Sequence, residues 1–186
     1  PEIRLDGFEG EWEAKILSRV TNITMGQSPK SENYTDNPND YILVQGNADI
    51  KNKQVVPRLW TTEVTKMAEI GDIILTVRAP VGDIGKTDYN VVIGRGVAAI
   101  KGNDFIFYTL EKMKMTGFWN RFSTGSTFDS ISSNDIKEAI IQIPTLKEQQ
   151  AIGAYFSNLD NLISAHQEKI FQLETLKKKL LQDMFI

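Results

Sequence analysis

From Ile152 onward, apolar side chains recur at alternating steps of four and three, through Phe156, Leu159, Ile163, Ile170, Leu173, Leu180 and Met184, with His166 and Lys177 standing at two of the same positions. This is a heptad seam. It predicts one long helix whose stripe is too narrow for burial inside a globule and suits contact with another helix. Thr145, just after Pro144, is a good N-cap, and Glu148 three residues on is placed to reach back to the cap's own N–H, completing a capping box. No proline follows, so nothing stops the helix before Ile186. At 1.5 Å per residue, such a helix is a rod of roughly 60 Å, longer than a domain of this size needs for its own core. His166 and Lys177 either fix register within the seam or sit at its edge with their polar ends in water.

Ahead of the rod the pattern shortens. AKILSRVTNIT puts Ile16, Leu17, Val20 and Ile23 on one face and predicts a short helix, with Trp12 against the core. Gly26 to Asp40 is rich in Ser, Asn, Asp and Pro without a hydrophobic period, an exposed loop long enough to suggest a function. Tyr41 to Val44, Val55 to Leu59 and Ile70 to Val77 read as strands, followed by the apolar run VVIGRGVAAI with a glycine bulge at Gly94 and Gly96. Asp104 to Phe122 reads as helix. Ser132 with Asp135 caps a short one, and Ile140, Ile141 and Ile143 make a last strand. The fold class that follows is α+β: a mostly antiparallel, β-rich globular domain over 1–144, then one long coiled-coil helix over 145–186.

Composition adds exclusions. The 186 residues are 41% hydrophobic and 24% charged, enough for one domain and a rod. The absence of cysteine removes disulfides, thiol catalysis and cysteine metal sites, and fits a reducing cytoplasm. No apolar run approaches the roughly 18 residues of a membrane span, and the N-terminus lacks a signal-peptide pattern. The expectation is a soluble, cytoplasmic protein with no membrane partner. Its start at Pro1 rather than methionine fits a trimmed chain or a piece of a longer one. The net charge of -3 is uneven, because Glu2, Asp6, Glu9, Glu11 and Glu13 oppose only Arg4 in the first stretch while the body is nearly neutral. A DNA-binding face needs a local basic concentration, so the total decides little.

Catalytic chemistry finds no foothold. The single histidine lies in the rod, which leaves no Ser-His-Asp triad and no histidine metal cluster. Gly94, Gly96 and Ala99 match GxGxxA but lack the strand-to-helix transition and downstream acid of a dinucleotide site. Asn37-Pro38-Asn39 is not the Asn-Pro-Pro-aromatic motif of methyltransferases, and no acid pair with a nearby lysine marks a magnesium nuclease. The chain is expected to be no enzyme, with no catalytic residue, metal site or cofactor of its own.

Three blocks carry a family resemblance. GDIILTVRAPVGDIG, from Gly71 to Gly85, resembles the strand-turn-strand signature of the target recognition domain in DNA-specificity subunits of type I restriction-modification systems. GSTFDSISSNDIKEAIIQIP, from Gly125 to Pro144, resembles the GS-loop, short helix and closing strand of that domain, and PTLKEQQAI with the heptads behind it resembles the spacer helix. The opening PEIRLDGFEGEWEAKIL is similar to the family's usual domain start. The resemblance implies a subunit that performs no chemistry but holds modification methyltransferase and restriction/translocase subunits on double-stranded DNA and chooses their sequence. S-adenosylmethionine and ATP with magnesium then belong to partner subunits. Family members usually carry two recognition domains and two antiparallel helices; this chain has one of each, so it is a dimerising half-subunit or half of a longer protein. Two copies joined through antiparallel helices would read a palindromic target split by a gap, and a spacer of roughly 60 Å spans at most about 18 base pairs.

The candidate DNA contacts lie in loops: Gln27, Ser28, Lys30 and Asn33; Gln45, Asn47, Lys51, Lys53 and Arg58; Arg78 and Arg95; and Arg121, Ser123, Thr124, Ser126 and Thr127. Sequence is read by side chains that reach base edges, while Lys, Arg, hydroxyl and backbone N–H groups hold phosphates, and these loops offer both kinds. The expected dimer seam is Ile152, Phe156, Leu159, Ile163, His166, Ile170, Leu173, Lys177, Leu180 and Met184. A competing class is a coiled-coil homodimeric scaffold whose domain is indifferent to DNA; salt-dependent duplex binding separates the two.

Overall fold

Ile73, Leu75 and Val77 join one core while Ile74 joins another, and Ala98 and Ile100 are divided in the same way from Val97 and Ala99. Two neighbouring strands with this two-sided burial make a central sheet with a covered face on either side, which is why their sequences read as continuous apolar runs. The computed structural model describes residues 1–122 and 130–185.

In chain order the strands are β1 (Glu13–Ile16), β2 (Ile23–Met25), β3 (Tyr34–Thr35), β4 (Tyr41–Val44), β5 (Ile50–Lys51), β6 (Gln54–Val55), β7 (Trp60–Thr61), β8 (Met67–Ala68), β9 (Ile73–Thr76), β10 (Ile84–Lys86), β11 (Val91–Ile93) and β12 (Val97–Ile100). Helices α1 (Asp104–Met115) and α2 (Ser133–Lys137), strand β13 (Ile140–Ile143) and helix α3 (Leu146–Met184) follow. The central sheet has the order β2-β12-β9-β10-β6-β5, and a second sheet has the order β3-β7-β4-β11-β8. Pairings are mostly antiparallel; β6 with β10 and β4 with β11 run parallel. Helix α1, with Phe105, Ile106 and Leu110 buried, covers one face of the central sheet beside Leu17, Trp119 and Ile136, whereas Val44, Val91 and Ile93 help fill the gap between the two sheets.

Several expectations are revised. The stretch around Ile16 and Leu17 is not a helix; β1 pairs in antiparallel register with β13, Glu13 opposite Ile143, and a single 3-10 turn over Leu17–Arg19 leads on to β2. Residues 26–40 are not wholly loop, since β3 pairs with β7. Of the strand expected over Val55 to Leu59 only Val55 is strand, at the end of β6; Pro57, which has no N–H to donate, follows, and β7 begins at Trp60. Helix α1 stops at Met115; Gly117 takes φ of 69°, and a 3-10 turn carries Phe118 to Phe122.

Helix α3 begins as expected, with the Thr145 hydroxyl accepting the Glu148 N–H at 3.4 Å. The other half of the capping box is not built. Glu148 turns instead to Arg4, accepting its Nε and Nη2 at 2.8 and 2.7 Å, and takes the Trp12 indole N–H at 3.3 Å. A forked guanidinium is a stronger donor than a backbone N–H. Gln149 accepts from Asn103 and donates to the Pro144 carbonyl, both at 3.0 Å. Ile152 packs against the domain core, and Phe156 tilts over Tyr108 with ring centroids 5.3 Å apart. The first two positions of the expected seam therefore already face the domain.

Candidate functional site

Four loops converge beyond the ends of β2, β4, β9 and β11, and five of the expected DNA contacts, Ser28, Gln45, Asn47, Arg78 and Arg95, line the cleft of about 190 Å³ that they form. Backbone bonds stitch the loops together: Gly26 N–H to Val97 O, Gln27 N–H to Ile93 O, Gly94 N–H to Val44 O and Val77 N–H to Gly96 O, all between 2.8 and 3.0 Å. Such closeness needs glycine. A Cβ on Gly96 would lie 2.0 Å from the Gln45 carbonyl oxygen, and one on Gly26 would lie 2.1 Å from the Gly94 carbonyl oxygen. Gly26 and Gly96 are thus meeting points of separate loops, whereas the sequence suggested only a strand bulge at Gly94 and Gly96.

Polar groups beneath the loops hold them in place. Ser28 Oγ accepts the Arg95 N–H at 3.0 Å. The buried Asp49 carboxylate accepts the N–H groups of Gln45 and Gly46 at 2.8 and 3.1 Å. Buried Thr76 donates to Pro80 O at 2.7 Å and accepts the Asp83 N–H at 2.9 Å, and Asp83 takes the Asn47 side-chain amide. The side chains facing the cleft thus stand on a preorganised backbone. Arg78 and Arg95 are exposed and enter no ion pair with a described residue, whereas Arg4, Lys53, Lys86, Lys101 and Lys114 each face a carboxylate. Two guanidiniums with no ion-pair partner among the described residues, beside two amides, can hold phosphate and read purine edges.

The remaining candidates lie elsewhere. Gln27 is exposed at the loop start. Lys30 and Asn33 are tied to Glu63, which accepts the Lys30 N–H at 2.8 Å and the Asn33 amide at 2.7 Å; these two bonds hold the Glu63 carboxyl below its ordinary range. Lys51 is exposed, and Arg58 stands 3.7 Å from Asp49. Lys53 sits at the base of α3 between Glu111 and Asp160. The Arg121 guanidinium lies over Phe118, 3.6 Å from its ring centroid, and near Phe122. Ser123, Thr124, Ser126 and Thr127 lie outside the described residues; Ser130, just after them, forms a β-bridge with Arg78. The supporting residues Gly26, Asp49, Asp83 and Gly96 were not singled out as such from sequence, because their role exists only where distant loops meet. Among the described residues no group of three His, Cys, Asp or Glu could hold a metal, and no helix is long and apolar enough to cross a membrane.

Past Asp160 every described residue of α3 is exposed, His166 and Lys177 included. Leu159, Ile163, Ile170, Leu173, Leu180 and Met184 are 37 to 72% exposed, and Leu162, Phe171, Leu176 and Leu181 widen the apolar surface.

Comparison with known proteins bears on the chain as a whole. A family model described as the type I restriction modification DNA specificity domain matches residues 9–175. The MjaX type I restriction enzyme specificity subunit of Methanocaldococcus jannaschii is 34% identical over 179 residues, covering 92% of this chain and 42% of that protein. A solved structure concerned with complex assembly and conformational transition of the type I R-M system superposes with a TM-score of 0.78 at 30% identity, over 96% of this chain and 46% of its own. The HsdS subunit from Thermoanaerobacter tengcongensis gives 0.71 at 28% identity, over 97% and 46%. The chain spans less than half the length of each of these relatives.

Proposed function

Because the chain belongs to the type I restriction modification DNA specificity domain family, we propose that it reads one half of a bipartite double-stranded DNA target and presents it to modification methyltransferase and restriction/translocase subunits in the cytoplasm. The reading domain is 1–144 and the spacer is 145–186. The chain performs no catalysis, and S-adenosylmethionine, ATP and magnesium belong to its partners. The observation that carries this reading is the convergence of Ser28, Gln45, Asn47, Arg78 and Arg95, residues scattered over almost seventy positions of sequence, on one preorganised cleft. A helix that leaves its domain with an exposed apolar stripe supports pairing with a second helix, in the simplest case that of another copy.

Reconstituted with cognate methyltransferase subunits, the chain directs methylation to a defined gapped sequence, and the Arg78→Ala, Arg95→Ala double variant loses that selectivity. Unchanged selectivity removes the cleft from the reading surface, and a complex that methylates without sequence preference favours the scaffold alternative. Light scattering over a dilution series returns twice the 21.0 kDa chain mass, falling to one chain for Ile170→Asp; a monomer at every concentration refutes self-pairing.

A further inference from the structure

The hairpin between β5 and β6 turns through Asn52 and Lys53, both left-handed, with φ of 49° and 63°. A two-residue turn of this kind favours Asn then Gly, since a Cβ in the left-handed region crowds the neighbouring carbonyl. Lysine is a poor choice for the turn itself, so its side chain is the place to look for a reason. The Lys53 ammonium lies 2.7 Å from Glu111 on α1 and 2.8 Å from both carboxylate oxygens of Asp160 on α3. Tyr108 donates its hydroxyl to Asp160 at 2.9 Å, and its ring centroid is 5.6 Å from the same ammonium. One cation thus joins a hairpin, the domain helix and the rod. Asp160 is also the residue of α3 after which every described position is exposed, and at this point a cleft of about 800 Å³ opens between rod and domain.

We propose that Lys53 is a positioning residue that fixes the direction of the rod relative to the reading cleft. The Arg4–Glu148 pair anchors the start of α3, and Asp160 is held twelve residues further on, about 18 Å along the axis. Ile152 and Phe156 pack on the domain between them, and the Lys53 clamp is the furthest along α3 of the ion pairs among the described residues, so it is the contact best placed to set the rod's direction. From Asp160 to Met184 the rod extends about 36 Å, so a swing of about 10° moves its far end by roughly 6 Å, close to two base-pair steps of about 3.4 Å. The consequence for half-site spacing rests on the DNA-specificity reading; the positioning itself does not.

The chain has no cysteine, so spin labels at Asp88→Cys and Gln182→Cys report one domain-to-rod distance by pulsed electron resonance, measured with unlabelled chain in excess. Lys53→Gly removes the clamp while relieving the turn. It is expected to at least double the width of the distance distribution with thermal stability unchanged or raised, Asp160→Asn to broaden it with the turn untouched, and Lys53→Arg to restore the narrow distribution. A width unchanged in both Lys53→Gly and Asp160→Asn overturns the proposal, whatever happens to stability. In the reconstituted complex, Lys53→Gly is expected to accept more than one gap length; broadened distances with an unchanged gap preference refute the spacing consequence and leave the positioning role standing.

Discussion

Replacing Gly153 by alanine sets two effects of opposite sign against each other at the contact between α3 and α1. Alanine inside a helix is favoured over glycine by about 1 kcal/mol. The added Cβ, however, would lie 2.7 Å from Asp104 Cβ and 3.1 Å from the Phe105 backbone nitrogen. Carbon atoms rest about 3.5–4.0 Å apart, so about 1 Å must be found by moving one helix off the other. Overpacking of this size costs about 1–3 kcal/mol, leaving a net loss of roughly 1 kcal/mol and a melting temperature about 2–4 °C lower. With Asp160 held, 1 Å spread over the roughly 10 Å between the two residues tilts the rod by about 6° and moves Met184 by roughly 4 Å. The assay is urea and thermal unfolding of Gly153→Ala, beside the same substitution in an isolated α3 peptide, where helicity should rise. A protein stabilised by about 1 kcal/mol would mean that propensity alone acts and that α3 does not pack on α1 at this point.

Two further predictions concern charge. With the chain in its complex, Arg78→Ala and Arg95→Ala should each flatten the plot of log affinity against log salt by about 1 if the guanidinium holds a phosphate; a guanidinium that reads a base instead relaxes sequence preference. Arg4, together with the Trp12 N–H, holds the Glu148 carboxyl below its ordinary value of 4.5 against the opposing effect of burial. A depressed carboxylate contributes stability that is complete above the ordinary value and is lost as pH falls through the lower, folded one. The melting temperature should therefore drop as pH falls below the ordinary value of 4.5, and less steeply in Glu148→Gln; parallel acid limbs in the two proteins would refute this linkage.

What could be read from sequence depended on how far each pattern reached for its partner. The rod was legible because a heptad stripe is written within one segment, and β9 and β12 because strands buried on both faces are apolar throughout. Ile16, Leu17, Val20 and Ile23 fit a helical face, yet the pairing of β1 with β13 decided their conformation, a choice made by residues at the other end of the domain. Glu148 was misplaced for the same reason: Arg4, 144 positions away, claims it. The cleft was legible only as separate loops. That Ser28, Gln45, Asn47, Arg78 and Arg95 share one site while Lys53 serves the base of the rod follows from sheet order, which no local spacing encodes.

The pairing of β1 with β13 also bears on how the protein is made. Glu13 meets Ile143. At about 5–20 residues per second, a growing chain leaves the first strand without its partner for roughly 6–25 s on the ribosome. An open strand is a template for pairing with the wrong chain, and charge is a common protection. Five acidic side chains within the first thirteen residues, of little use to a DNA-binding surface, are well placed to keep neighbouring nascent chains apart until the proper partner emerges.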